Sequence, residues 1–164
     1  MFTNLVTHNE ISIEAPAVRV WPHILDLNSW KRGPVLVRAR GPISACGEVF
    51  AATDRMSNTV LYFAENVELV PLERRTLKLF REHEGNLLGF VSWGLRESAN
   101  TTTVAYDVYV QFTEPAESQG TEQVVADDAV TDRLQLDDRS RFQEELQELK
   151  QLVERGQDRR WPPR

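Results

Sequence analysis

The stretch DRSRFQEELQELKQLVER, Asp138 to Arg155, places Phe142, Leu146, Leu149 and Val153 at spacings of four, three and four residues. That is the period of one helical face. Leu152 widens the stripe, and Glu144, Glu148, Lys150 and Glu154 fill the remaining surface. Asp137 or Asp138 can cap the start, Arg155 suits the last turn, and Gly156 is expected to end the helix. About five turns of helix with one apolar stripe need a partner surface. Nearly everything upstream reads as strand, so that partner should be a sheet.

Composition narrows the class. A chain of 164 residues, 41% hydrophobic and 27% charged, suits one domain with one core. No apolar run is long enough to span a membrane, and the N-terminus has no signal-peptide pattern. The single Cys46 excludes an internal disulfide and a thiolate metal cluster. Together these point to the cytoplasm. A net charge of −6 argues against a nucleic-acid partner. Arg159, Arg160 and Arg164 give residues 157–164 a small basic tail, read as a frayed end.

Taken in order, Asn9 to Glu14 alternates, with Ile11 and Ile13 on one side, which is a strand with one wet face. Ala15-Pro16 stops it, and Pro16 suits a helix start. Val18, Trp21, Ile24 and Leu25 form the next helical stripe, with a bend expected at Pro22. Asp26 or Asn28 can cap a second short helix through Trp30. From Val35 the period is two, with strands expected over 35–40, 47–56, 59–70, 75–83, 87–96 and 102–112.

The turns fix registers. Pairing 97 with 102 sets Trp93 opposite Tyr106 and Val91 opposite Val108. Pairing 83 with 87 sets Leu77 opposite Trp93 and Leu79 opposite Val91. Pairing 71 with 75 sets Glu65 opposite Arg81, on the face that carries Leu61, Phe63, Val67 and Leu69. The other face holds Glu68, Lys78, Glu82, Asp107 and Gln111, a solvent-like set. The 47–56 strand fits less well, because its hairpin turns Glu48 and Asp54 inward. Residues 114–135 are acidic and long for a loop, with a short helix possible around Val124 to Val130.

The order is strand, two short helices, about six strands and a long terminal helix. Within it, ISIEAPAVRVWPHILDLNSW, Ile11 to Trp30, resembles the opening of the START-like, helix-grip superfamily (SRPBCC). That group includes polyketide cyclases, lipid-transfer domains and birch-pollen-allergen-like proteins. Ile11, Ile13, Ala15, Pro16, Val20, Trp21, Asp26 and Trp30 carry the match. Trp93-x-Leu95, Thr103-x-x-Tyr106 and the terminal Leu146, Leu149 and Lys150 extend it. Pro22 and the length of 114–135 depart from the usual pattern. The resemblance implies an α+β helix-grip fold over residues 1–156: a curved antiparallel sheet of six to seven strands wrapped around the last helix. It also implies an elongated apolar cavity between the two. Many members bind apolar ligands without catalysis, so fold does not decide function.

The candidate site follows. Glu65 and Arg81 at inward positions read as a polar anchor or acid/base pair, or else as a structural ion pair, with a local bulge able to turn one of them outward. Trp93 and Tyr106 either stack on a ligand ring or fill the core. Trp30 reads as a plug over one end of the core or as a ligand contact. Phe63, Leu79, Val91, Val108, Phe142 and Leu146 complete the expected lining, with Phe142 and Leu146 as the ligand-facing positions of the helix. His8, His23 and His83 have no metal-ligand spacing, so neither a metal nor another cofactor is expected. The reading is a binding protein for a hydrophobic small molecule: a polyketide, an aromatic metabolite or a lipid. The alternatives are a polyketide cyclase or dehydratase-like enzyme whose candidate acid/base residues are Glu65, Arg81 and Tyr106, and a cochaperone-like interaction module using 114–135. The oligomeric state is not readable.

Overall fold

The computed structural model describes residues 2–81, 87–113 and 139–158. The acidic segment 114–135, its expected helix, the tail from residue 159 on, His83 and the turn after it lie outside the described residues. The elements are β1 (Phe2–Ile13), α1 (Ala17–Leu25), a 3-10 turn (Leu27–Ser29), β2 (Val35–Arg40), β3 (Val49–Thr53), β4 (Val60–Val70), β5 (Arg74–Phe80), β6 (Leu87–Ser98), β7 (Thr101–Thr113) and α2 (Arg139–Asp158). The strands form one antiparallel sheet in the order β1-β7-β6-β5-β4-β3-β2. The sheet curves around α2 with α1 at one end, the helix-grip arrangement.

Cross-strand partners share a face, so the registers define rungs on the concave side. One rung is Leu5–Val110–Gly89–Leu79–Ala64. The next is Thr7–Val108–Val91–Leu77–Asn66, and the third is Asn9–Tyr106–Trp93–Arg75–Leu69. Between the second and third rungs β4 advances three residues where its neighbours advance two. The extra residue is a bulge at Val67. Similar shifts interrupt β2–β3, β3–β4 and β5–β6, whereas β1–β7 and β6–β7 run without one. Bulges raise local twist, and four of them on one side of the sheet bend it around the helix. Gly89, with φ +153°, lies where a Cβ would come within 1.9 Å of the Tyr109 carbonyl oxygen, so the strands there close up only around glycine.

The core joins both helices to this concave face. Ile13, Val20, Ile24, Val104, Leu146 and Leu149 are fully buried. Four details differ from the sequence reading. β1 begins seven residues earlier than expected, at Phe2. α1 buries Ala17, Val20, Trp21 and Ile24, while Val18 and Leu25 stay exposed, because the helix starts directly after Pro16 and its inner face is set from there. Pro22 lies inside α1, and its missing donor would have served Val18, on the exposed side. α2 runs through Gly156 to Asp158.

Glu48 and Asp54, which alternation turns inward, are indeed buried, and each has partners. The Glu48 carboxylate accepts from the Ser44 backbone N–H at 3.1 Å, Arg38 Nε at 3.2 Å and Asn66 Nδ2 at 3.4 Å. Asp54 accepts from the backbone N–H groups of Met56 and Ser57 at 2.7 and 3.2 Å, which closes the β3–β4 turn.

Candidate functional site

Two of the proposed anchors are not on the concave face. The Val67 bulge reverses the phase of β4, so Tyr62, Ala64 and Asn66 point inward and Phe63 and Glu65 outward. Glu65 pairs with Lys78 rather than Arg81. The β4–β5 turn keeps three residues but sits one residue earlier than expected, with Val70 opposite Arg74. β5 ends at Phe80, and Arg81 follows it outside the cavity lining. Phe63 stacks on Phe80 at 5.7 Å, away from the core. The Glu65–Arg81 pair, as anchor or as acid/base, is therefore excluded by register.

A cavity of about 80 Å³ lies between the sheet and the N-terminal half of α2. Leu79, Val91, Trp93, Tyr106, Val108 and Phe142 line it, as placed from the sequence. Leu77 and Val91 face each other, as do Arg75 and Trp93; both pairs sit two residues from the expected β5–β6 register, a shift that preserves the face. Trp30 and Leu146 do not line it. Trp30 is 3% exposed and its indole N–H donates to the His23 carbonyl at 2.7 Å, so it plugs the core. Leu146 is packed on the closed side, and Phe142 alone of the two helix positions faces the void. Exposed Asn28 and Arg32 line the opening, together with Pro34 and Leu36. Asn28 is fixed there by a two-way bond with Leu36, its amide donating at 2.8 Å and accepting at 2.9 Å.

The chemistry of the cavity rests on residues the sequence reading missed. Lys31, directly after the 3-10 turn, reaches inward and donates to the Tyr106 hydroxyl at 2.6 Å and to Glu145 Oε2 at 2.9 Å. Glu145 is 1% exposed, and its other oxygen lies 3.6 Å from Arg141 Nε. The Lys31 ammonium also stands 5.0 Å from the centre of the Tyr106 ring and 5.7 Å from that of Trp93. Trp93 and Tyr106 stack at 5.3 Å, and Phe142 meets Tyr106 edge-on at 5.1 Å. Three aromatic rings thus form a wall around one buried ammonium.

Electrostatics fix the protonation states. Burial disfavours the Lys31 charge, but Tyr106 and Glu145 outweigh it and raise its pKa above the ordinary lysine value. Burial pushes the Tyr106 phenol well up, and the Tyr62 phenol likewise. At neutral pH the site holds an ammonium and two neutral phenols. Among the described residues no group of three His, Cys, Asp or Glu side chains is placed to hold a metal ion, and no helix is long and apolar enough to cross a membrane.

A signal for Glu145 was present: it lies three residues after Phe142 and four before Leu149, within the apolar stripe. Arg75 shares the inward phase of Leu77 and Leu79. Lys31 had none, since it sits in an aperiodic turn.

No family model and no curated protein matches the sequence. The fold does match solved structures. Norcoclaurine synthase from Thalictrum flavum aligns with a TM-score of 0.57 and 11% identity over 93% of this chain and 94% of that one. A polyketide-cyclase-like protein from Corynebacterium glutamicum gives 0.60 and 14%, over 99% of both chains. The di-domain ARO/CYC protein of the steffimycin biosynthetic pathway gives 0.62 and 10% over 94% of this chain and 52% of that one, so the chain spans about half of it. These are START-like helix-grip proteins, and this chain has their fold.

Proposed function

We propose that the protein binds a small hydrophobic molecule, of the polyketide, aromatic-metabolite or lipid kind, in the cavity between sheet and α2. Lys31 holds the polar end of that molecule, and Leu79, Val91, Trp93, Val108 and Phe142 supply its apolar walls. One observation carries this reading: a partly buried ammonium with an aromatic wall faces a void, and only two of its three N–H groups have an oxygen partner among the described residues. The likeness in fold to polyketide-cyclase-like proteins supports it.

An enzymatic reading asks for a group that exchanges protons near working pH. Lys31 and Tyr106 are both held with raised pKa values, one charged and one neutral, so neither shuttles a proton at pH 7. Binding is favoured for that reason.

The void of about 80 Å³ is smaller than the roughly 300–1,000 Å³ typical of pockets for drug-sized ligands. The ligand is therefore small, or only its end is enclosed and the rest passes Asn28 and Arg32. Native mass spectrometry of freshly purified protein should show a retained small molecule. Saturation at about a hundred times Kd should stabilise the fold by about 2.7 kcal/mol. For a chain of this size that raises Tm by about 5–10 °C. No shift with any small apolar compound, in protein free of bound ligand, would sink the proposal.

A further inference from the structure

The polar atoms around the cavity are not balanced. The acceptors are in use: Glu145 is engaged by Lys31 and Arg141, and the Asn28 oxygen accepts the Leu36 N–H. The donors are not. The indole Nε1 of Trp93 is buried with no hydrogen-bond partner. Among the described residues the third N–H of Lys31 has no oxygen partner, and the Tyr62 hydroxyl, which can donate or accept, makes no hydrogen bond. An unpaired buried donor is costly, and a donor-only group such as an indole can be satisfied only by an acceptor.

From this surplus of donors we infer that the ligand is a single conjugated or aromatic ring bearing a carbonyl or carboxylate oxygen, which enters oxygen-first. This rests on the binding reading above and names its ligand class. The oxygen takes the free protons of Lys31 and Trp93. The ring lies against the Trp93–Tyr106 stack, with the edge of Phe142 across it. No more than one ring is taken up, and that only in part: the void is about half the roughly 150 Å³ that encloses a benzene, so the oxygen-bearing edge enters and the rest of the ring stays at the opening by Asn28 and Arg32. An amine is disfavoured, because it would meet the Lys31 ammonium and find no free carboxylate, only the Tyr62 hydroxyl oxygen.

Four one-ring probes test the inference by titration calorimetry or ligand-observed NMR on the full chain: benzoate, acetophenone, ethylbenzene and benzylamine. Benzoate and acetophenone should each bind at least about tenfold tighter than ethylbenzene, the gain expected of a hydrogen bond to a charged donor. Benzylamine should bind least. Lys31→Met should bring benzoate down to the level of ethylbenzene. Trp93→Phe, which keeps a ring in the wall, should lose part of the preference and serves if Lys31→Met does not fold. Equal affinities for ethylbenzene and the two oxygen-bearing probes, or tightest binding by benzylamine, would overturn the inference and leave the binding reading standing. Failure of every probe, ethylbenzene included, would overturn the inference, and the binding reading would fall with it only if no other small apolar compound shifted Tm either.

Discussion

Arg75 and Lys31 are cations on the concave side of one sheet, the first buried and the second partly so, and their surroundings differ in kind. Arg75, 2% exposed, makes three hydrogen bonds to neighbouring elements. Its Nη1 donates to the carbonyl oxygens of Ile24 and Leu25 at 2.7 and 3.1 Å, and its Nε donates to Asn66 Oδ1 at 2.9 Å. Those carbonyls belong to the last turn of α1, where helix carbonyls lack intrahelical partners and the helix dipole is negative. Asn66 in turn donates to Glu48, and the Phe50 ring stands 5.6 Å from the guanidinium. Burial lowers the Arg75 pKa to about 10, and Glu48 opposes the fall, so it remains charged at neutral pH. Lys31 is held by two partners and faces a void with a proton to spare. A buried charge bonded to a helix end and a neighbouring strand, outside the cavity lining, ties those elements together. A buried charge with one donor left over, beside empty space, is a place for a ligand.

The largest test of this contrast is Arg75→Met. It strands two helix carbonyls and the Asn66 side-chain oxygen, and no single second substitution restores backbone partners. A loss of about 3–5 kcal/mol in chemical denaturation is expected. A loss under about 1 kcal/mol would show that Arg75 is not a structural tie.

Lys31→Met should cost less, about 2–3 kcal/mol, because Glu145 keeps Arg141 nearby. Here a second change helps. Adding Glu145→Gln removes the stranded carboxylate and should return at least about 1 kcal/mol in a double-mutant cycle. Additive losses would mean that the two side chains are not coupled as their 2.9 Å contact implies.

The smallest effect belongs to the convex face. There His8 meets Asp107 and Glu10 in the open, with about half of each side chain exposed. The hydrogen bond that His8 donates to the Asp107 carboxylate leads in raising the His8 pKa above its ordinary 6.5. The stability it adds is present in full below that value and fades as pH rises through the higher folded-state pKa. Wild type and His8→Gln should therefore differ slightly near pH 6 and converge near pH 8.5 in denaturant titrations. A gap that widens with pH would reverse the assignment.

The registers show where sequence was enough. Trp93 faces Tyr106, and Val91 faces Val108, as parity from the Ser98–Thr101 turn requires. Those strands have no bulge, so counting residues from the turn preserves the face. On the other side of the sheet the same counting failed at Glu65, because one extra residue at Val67 inverts everything beyond it. The residues that replace Glu65 and Arg81 as the polar heart of the cavity come from an irregular turn, a helix and a strand: Lys31, Glu145 and Tyr106. They are 75 and 114 residues apart from Lys31 in the chain, so no local pattern joins them.

Sequence alone determined the order of the elements, the amphipathic terminal helix, the apolar face of β6 and β7, and the kinship in fold. Each of these is a repeat over two to four residues, imposed locally by backbone geometry. Only the tertiary structure decided which polar groups are buried, which of those are satisfied, and where the void lies. Those outcomes depend on bulges, turn lengths and the docking of α2, which act on the sheet collectively and leave no periodic trace in the chain.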